Sequence, residues 1–145
     1  MSMNFFELLV RVETDVWNAV EHELLRSDRV GLGTLMALQT VHRHDGAVRV
    51  QDVSDALSIT VGAASKFIDR LERDGLAVRR PNPDDRRSSL VALTRSGEDA
   101  RASAERVAQQ VIAELLGEES GIEMLSEALT RIGARTVAAR SAVLA

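Results

Sequence analysis

Residues 50–97 read VQDVSDALSITVGAASKFIDRLERDGLAVRRPNPDDRRSSLVALTRSG, and the order of short elements in this stretch decides the fold. Val53, Ala56, Leu57 and Ile59 mark one apolar face of a short helix, which Ser58-Ile59-Thr60 interrupts. Thr60 offers a side-chain oxygen as the N-cap of a second helix. From Val61 to Asp74, Ala64, Phe67, Ile68 and Leu71 fall on one side, with Gly62, Ser65, Lys66, Asp69 and Arg73 on the other. Gly75 suits the left-handed C-terminal cap. Leu76 to Arg80 then alternates as a strand, Pro81-Asn82-Pro83-Asp84-Asp85 reads as a turn, and Ser89 to Leu93 reads as the returning strand. Upstream, Val48-Arg49-Val50 alternates like a further brief strand.

Two short helices joined by a three-residue turn and followed by a hairpin outline a winged helix-turn-helix. The predicted fold is mainly α with a small β-hairpin wing, a lobe over residues 46–97 flanked by long N- and C-terminal helical regions over 1–45 and 98–145. A helix that enters a major groove needs short or hydrogen-bonding side chains on its outer face. The candidate contacts on the second helix are Thr60, Val61, Gly62, Ser65, Lys66 and Arg70. Its N-terminus also offers free N–H groups and the positive end of the helix dipole to an anion. Asp69 on the same face opposes a phosphate partner, and a merely solvated face is the competing reading. The hairpin weighs on the other side. Arg79 and Arg80 lie on the ascending strand and Arg86 and Arg87 at the tip, where guanidinium groups suit phosphates or a narrow minor groove. Asp85 is placed to hold Arg87 extended through a charge-assisted bond.

Working outward, Phe5, Leu8, Leu9, Val12, Val16, Val20 and Leu24 recur at helical spacing and predict a long first helix ending near Ser27. Leu35, Met36, Leu38 and Val41 predict a second that stops at the Asp45-Gly46 turn. Beyond the hairpin, Thr94 can cap a helix running to about Leu116. After a break over Gly117–Gly121 a last helix carries Leu125, Leu129 and Ile132. A lobe of about 50 residues buries a small core. The terminal helices therefore either interleave between two chains as a dimer base or close the core of a monomer.

The 145 residues contain 18 basic and 22 acidic side chains, a formal net charge of -4. That total hides its distribution: residues 48–97 hold nine Arg or Lys against seven Asp or Glu, whereas the remainder holds nine against fifteen. The middle is the basic part, and 17 of the 18 basic residues are arginine. No cysteine is present, which removes disulfides, thiolate metal sites and thiol redox switches. No apolar stretch approaches the roughly 18 to 20 residues that span a bilayer, and the start lacks a signal-peptide pattern, so a cytoplasmic chain without membrane contact is expected. Gly-rich phosphate loops, His-Glu-x-x-His and Gly-x-Ser-x-Gly strings are absent, so no catalytic residue is assigned and no enzyme is expected. His42 and His44 have too few companions for a metal site, and no cofactor is expected.

The stretch Ser65-Lys66-Phe67-Ile68-Asp69-Arg70-Leu71-Glu72-Arg73-Asp74-Gly75-Leu76, followed by Asp84-Asp85-Arg86-Arg87 and Leu93-Thr94-Arg95-Ser96-Gly97, resembles the MarR (multiple antibiotic resistance regulator) family. The resemblance implies a bacterial or archaeal homodimeric transcription factor, usually a repressor, on a pseudo-palindromic operator of double-stranded DNA, associated with the nucleoid when bound. It also implies release by a small phenolic or anionic effector. By the same resemblance Ser65 and Lys66 occupy base-reading positions, and Asp85 and Arg87 match the family's Asp-x-Arg wing pair. Ala63-Ala64 stand where family members often have Thr-Val, removing one hydroxyl. Trp17, Arg11, His42 and His44 are the residues available to an effector cleft between the dimerisation helices and the lobe, with core or dimer packing the alternative for Trp17. A winged helix used for protein–protein docking is the other functional class. It calls for exposed apolar side chains on the second helix, where Val61 is the one candidate.

Overall fold

The computed structural model of the chain describes residues 3–27, 29–117 and 121–143. Among the described residues six helices and one hairpin follow in the order α1 (Met3–Arg26), α2 (Leu32–Arg43), α3 (Val50–Leu57), α4 (Val61–Arg73), β1 (Ala77–Pro81), β2 (Ser89–Leu93), α5 (Arg95–Leu116) and α6 (Ile122–Val143). The mainly helical fold with a two-stranded wing is as the sequence predicts. Residues 118–120 of the expected break lie outside the described residues. The chain divides into two compact units, residues 1–112 and 113–145.

Within the first unit α2 is shared by two cores. Leu38 and Val41 pack with Val48, Val53, Ala64, Ile68, Leu71, Ala77 and Val91, which closes the lobe. One turn earlier, Leu35 packs with Val20 and Leu24 of α1 and with Ala104 and Ala108 of α5. Ala104 and Ala108 bring small side chains to this core, beside the larger Val20 and Leu24. A carboxylate from α1 begins α2: Glu21 Oε2 accepts the Leu32 N–H, satisfying one of the orphan donors of that helix. Gly33 lies inside α2.

The strand expected over Val48-Arg49-Val50 shrinks to one bridge, with the Val91 N–H donating to the Val48 carbonyl at 2.7 Å. Val50 instead opens α3, because the Asp52 carboxylate accepts the Arg49 N–H at 2.7 Å and draws the chain into a helical turn. The α4 terminus is a Schellman motif, with Leu76 N–H on Leu71 O (2.8 Å), Gly75 N–H on Glu72 O (3.0 Å) and Gly75 at φ +72°. Thr94 bolts α5 to that corner. Its Oγ1 donates to Gly75 O at 2.6 Å and accepts the Gly97 N–H at 3.0 Å, while its own N–H reaches Leu76 O at 3.1 Å. Gly97 is needed for this approach, since a Cβ there would stand 1.9 Å from Leu76 O.

Only Val20 and Leu24 of the α1 stripe are buried; Phe5, Phe6, Leu8, Leu9 and Val12 are exposed. In the second unit α6 likewise exposes Met124, Leu125, Leu129 and Ile132.

Candidate nucleic-acid interface

The turn that presents α4 is fastened by a serine. Ser54 is buried, and its hydroxyl donates to Ile59 O at 2.7 Å, while the Ile59 N–H returns to Ser54 O at 3.1 Å. These two bonds close the loop while Ser58 takes a left-handed conformation at φ 53°. Thr60 then caps α4, its Oγ1 accepting the Ala63 N–H at 3.2 Å as its position before the helix predicts. Ala64, Ile68 and Leu71 face the core. Val61, Gly62, Lys66, Asp69 and Arg70 are exposed, and Ser65 is half-buried. The Arg70 guanidinium lies over the Phe67 ring, 5.8 Å from its centre, a cation–π contact. The outward face is thus short and polar at its N-terminal end and basic beyond, with 46% exposed Val61 the one larger apolar group at the helix start.

In the wing, β1 and β2 pair antiparallel from Ala77 opposite Leu93 to Pro81 opposite Ser89. Alternation decides where its arginines point. Arg79 shares the Ala77 face, and Val91 directly opposite is buried, so Arg79 turns inward onto α4. There its guanidinium pairs with Asp69 Oδ1 at 2.7 Å and with Glu72 Oε2. Arg80, on the other face, is exposed. The tip is folded by its own side chains. Buried Asn82 donates through Nδ2 to Ser88 Oγ at 2.8 Å and accepts the Asp84 N–H at 3.0 Å. Asp85 Oδ1 accepts the Arg87 backbone N–H at 3.0 Å. The expected bond from Asp85 to the Arg87 side chain is replaced by this backbone bond, which shapes the turn and leaves both tip guanidiniums projecting. Arg86 and Arg87 are exposed.

Behind the lobe, His42 Nδ1 lies 3.0 Å from Glu98 Oε1, and Glu98 and Glu105 both bond Arg101, at 3.1 and 2.7 Å. The His42 contact, ahead of Arg101, holds the Glu98 carboxyl below the usual glutamate range; a Gln39 hydrogen bond, again ahead of Arg101, does the same for Glu105. A depression of about 260 Å³ beside His42 is bordered by Asp45, Arg80 and Glu98. His44 is tied to Thr40 O at 2.8 Å, and Arg11 is exposed on α1. Among the described residues the hollow beside Trp17 is bordered by Glu13 and Thr14. No group of three or more histidine or acidic side chains among the described residues is arranged to hold a metal ion. Among the described residues no helix is long and apolar enough to cross a membrane.

The sequence alone did not disclose the fastening roles of Ser54 and Asn82 or the pairing of Asp69 and Glu72 with Arg79. A serine beside Val53 in a short apolar helix, and an asparagine between two prolines, were the available signals. Parity with Ala77 was the signal for Arg79.

Residues 31–88, from the start of α2 to the far side of the wing tip, match the MarR family model. The HTH-type transcriptional regulator MhqR of Bacillus subtilis is 29% identical over 94 residues, which cover 62% of this chain and 63% of that protein. Over this stretch the chain is similar to MarR-family regulators. It spans about three fifths of the length of the curated HTH-type regulators it matches. Solved structures with the same fold include two complexes. CouR from Rhodococcus jostii RHA1 bound to p-coumaroyl-CoA superposes with a TM-score of 0.78 at 23% identity, over 87% of this chain and 89% of that one. A mutant MarR from E. coli complexed with operator DNA gives 0.76 at 23% identity, over 89% and 93%.

Proposed function

We propose that this chain is a MarR-family transcriptional regulator that binds double-stranded DNA sequence-specifically as a homodimer and has no catalytic activity. One observation carries the reading: a capped helix with a short, polar outer face stands beside a self-folded wing whose two tip guanidiniums are exposed. In this reading the α4 N-terminus and Thr60 meet a phosphate, and Val61 and Gly62 let the backbone close on the major groove. Ser65 and Lys66 read base edges, and Arg70 extends the contact toward the backbone. Arg80, Arg86 and Arg87 reach the flanking minor groove or its phosphates, with Asp85 shaping the turn that presents them. The exposed apolar residues of α1 and of α6 support a homodimer base, and two-fold symmetry then calls for a pseudo-palindromic operator. Repression from the cytoplasm, relieved by a small phenolic or anionic organic ligand, completes the proposal. The CouR complex is its support for an organic effector, with Trp17, Arg11, His42 and His44 as candidate contacts. Selection from a random duplex pool, followed by affinity measurements over a salt series, tests it. The expected outcome is an enriched inverted repeat with half-site centres about 10 bp apart and log affinity falling linearly with log salt. No enrichment and no salt dependence would point to a protein-docking module instead.

A further inference from the structure

Arg79 differs from the exposed arginines of the wing in turning onto the protein itself. Its backbone N–H donates to Glu72 Oε1 at 2.8 Å, and its guanidinium reaches Glu72 Oε2, Asp69 Oδ1 at 2.7 Å and, at the long end of the range, the Ser65 carbonyl at 3.4 Å. Residues 65, 69 and 72 are spaced by four and three, so one side chain spans about two turns, or about 10 Å, of a single face of α4. The Arg79 side chain is 25% exposed, Glu72 31% and Asp69 60%. The fork of a guanidinium fixes direction as well as charge, which a lysine ammonium does not.

Ser65 is the first residue of this row and also a proposed base-reading position, while Arg79 stands in the strand that leads to Arg86 and Arg87. The clamp therefore joins the two elements that must meet one duplex at the same time. It also answers the electrostatic objection raised by Asp69, whose carboxylate is compensated on the side where it faces the wing.

We infer that Arg79 is a positioning residue that locks the wing to α4, so that the base-reading face and the tip arginines engage a duplex in one fixed register. This rests on the DNA-binding reading, and the test separates the two. The clamp carries two negative charges and one positive. Replacing it by the neutral set D69N/E72Q/R79M raises the formal charge of the chain by one. Electrostatics alone then predicts tighter binding to every duplex. Positioning predicts a split: affinity for random duplex unchanged or raised, and affinity for the duplex enriched by the parent lowered, so that the specific-to-random ratio falls at least tenfold. R79K is the second variant, keeping the charge and losing the fork. It should lower the same ratio with the salt slope unchanged. All three side chains are partly exposed, so circular dichroism melts should show both variants folded. A parent that is selective together with variants that keep the ratio within twofold overturns the positioning role alone. A parent that binds no duplex overturns the DNA-binding reading, and this inference with it.

Discussion

Gly97→Ala separates helix propensity from tertiary fit, because the two predict opposite signs. Gly97 is the third residue of α5, and in a helix interior glycine costs about 0.5–1 kcal/mol relative to alanine, so propensity alone predicts a gain of that size. The structure predicts a loss. A Cβ at this position would lie 1.9 Å from the Leu76 carbonyl oxygen and 2.9 Å from its carbon, both backbone atoms. Ordinary contacts of this type begin at about 3.3 Å, so the start of α5 must retreat from the α4–β1 corner by more than about 1 Å. Retreat breaks the Thr94 N–H bond to Leu76 O and the Thr94 hydroxyl bond to Gly75 O, about 1 kcal/mol each. The residual overpacking adds about 1–3 kcal/mol. Set against the propensity gain, the net cost is about 2–4 kcal/mol, a large share of the roughly 5–15 kcal/mol that holds a domain folded. Urea unfolding followed by circular dichroism should show the midpoint falling by about 1 M or more at unchanged slope. Gly33→Ala, where an added Cβ meets nothing within 4 Å, should leave the midpoint the same or raise it. A Gly97→Ala protein as stable as the parent would refute the reasoning, since no backbone clash could then exist.

Arg87→Ala should weaken binding to preferred and random duplexes by similar factors and flatten the salt slope by about one unit for each phosphate no longer neutralised; Lys66→Ala should cost about 1–3 kcal/mol on the preferred sequence alone. Equal losses from Lys66→Ala on all duplexes would make it a phosphate contact and pass readout to Ser65. Sedimentation at micromolar concentration should give about twice the chain mass of 15.8 kDa, and Phe5→Asp/Phe6→Asp should shift it toward the single-chain value. A parent sedimenting as one chain would remove the case for a palindromic operator. Glu98 and Glu105 have carboxyls lowered in the folded state, so the stability they contribute is complete above the ordinary value of about 4.3 and is lost as pH falls through the lowered folded values. Melting temperature should fall on acidification below that value, and less steeply in Glu98→Gln/Glu105→Gln; parallel curves would disprove the assignment.

Features set by neighbouring residues were legible in the sequence. Thr60 caps α4, Gly75 ends it, and the hairpin lies within one residue of the expected strands, because each depends on chemistry within a few positions. The Val48–Val50 strand failed where a local bond from Asp52 outcompeted alternation over three residues. Asp85 was read for its charge, yet its carboxylate is used by the nearest backbone donor, two residues on, as aspartate in turns often is. The inward turn of Arg79 required both the strand register and the position of α4, neither of which arginine spacing reveals. Apolar periodicity located α1 correctly but did not tell buried from exposed, since Phe5 and Leu24 lie on the same stripe and only Leu24 meets a core within the chain.

The wing tip has a thermodynamic consequence for whatever it meets. Asn82, Asp85 and Ser88 hold residues 82–88 in shape through bonds made before any partner arrives. Ordering a flexible loop of that length on contact would cost about 1–2 kcal/mol per residue in backbone entropy. A loop already folded owes only the freezing of its projecting side chains, about 0.5–1.5 kcal/mol for each of Arg86 and Arg87. In the DNA-binding reading, Asn82 would thus act on affinity without touching the duplex. Its replacement by alanine would move the cost of ordering the loop from the folding of the protein to each contact that the wing makes.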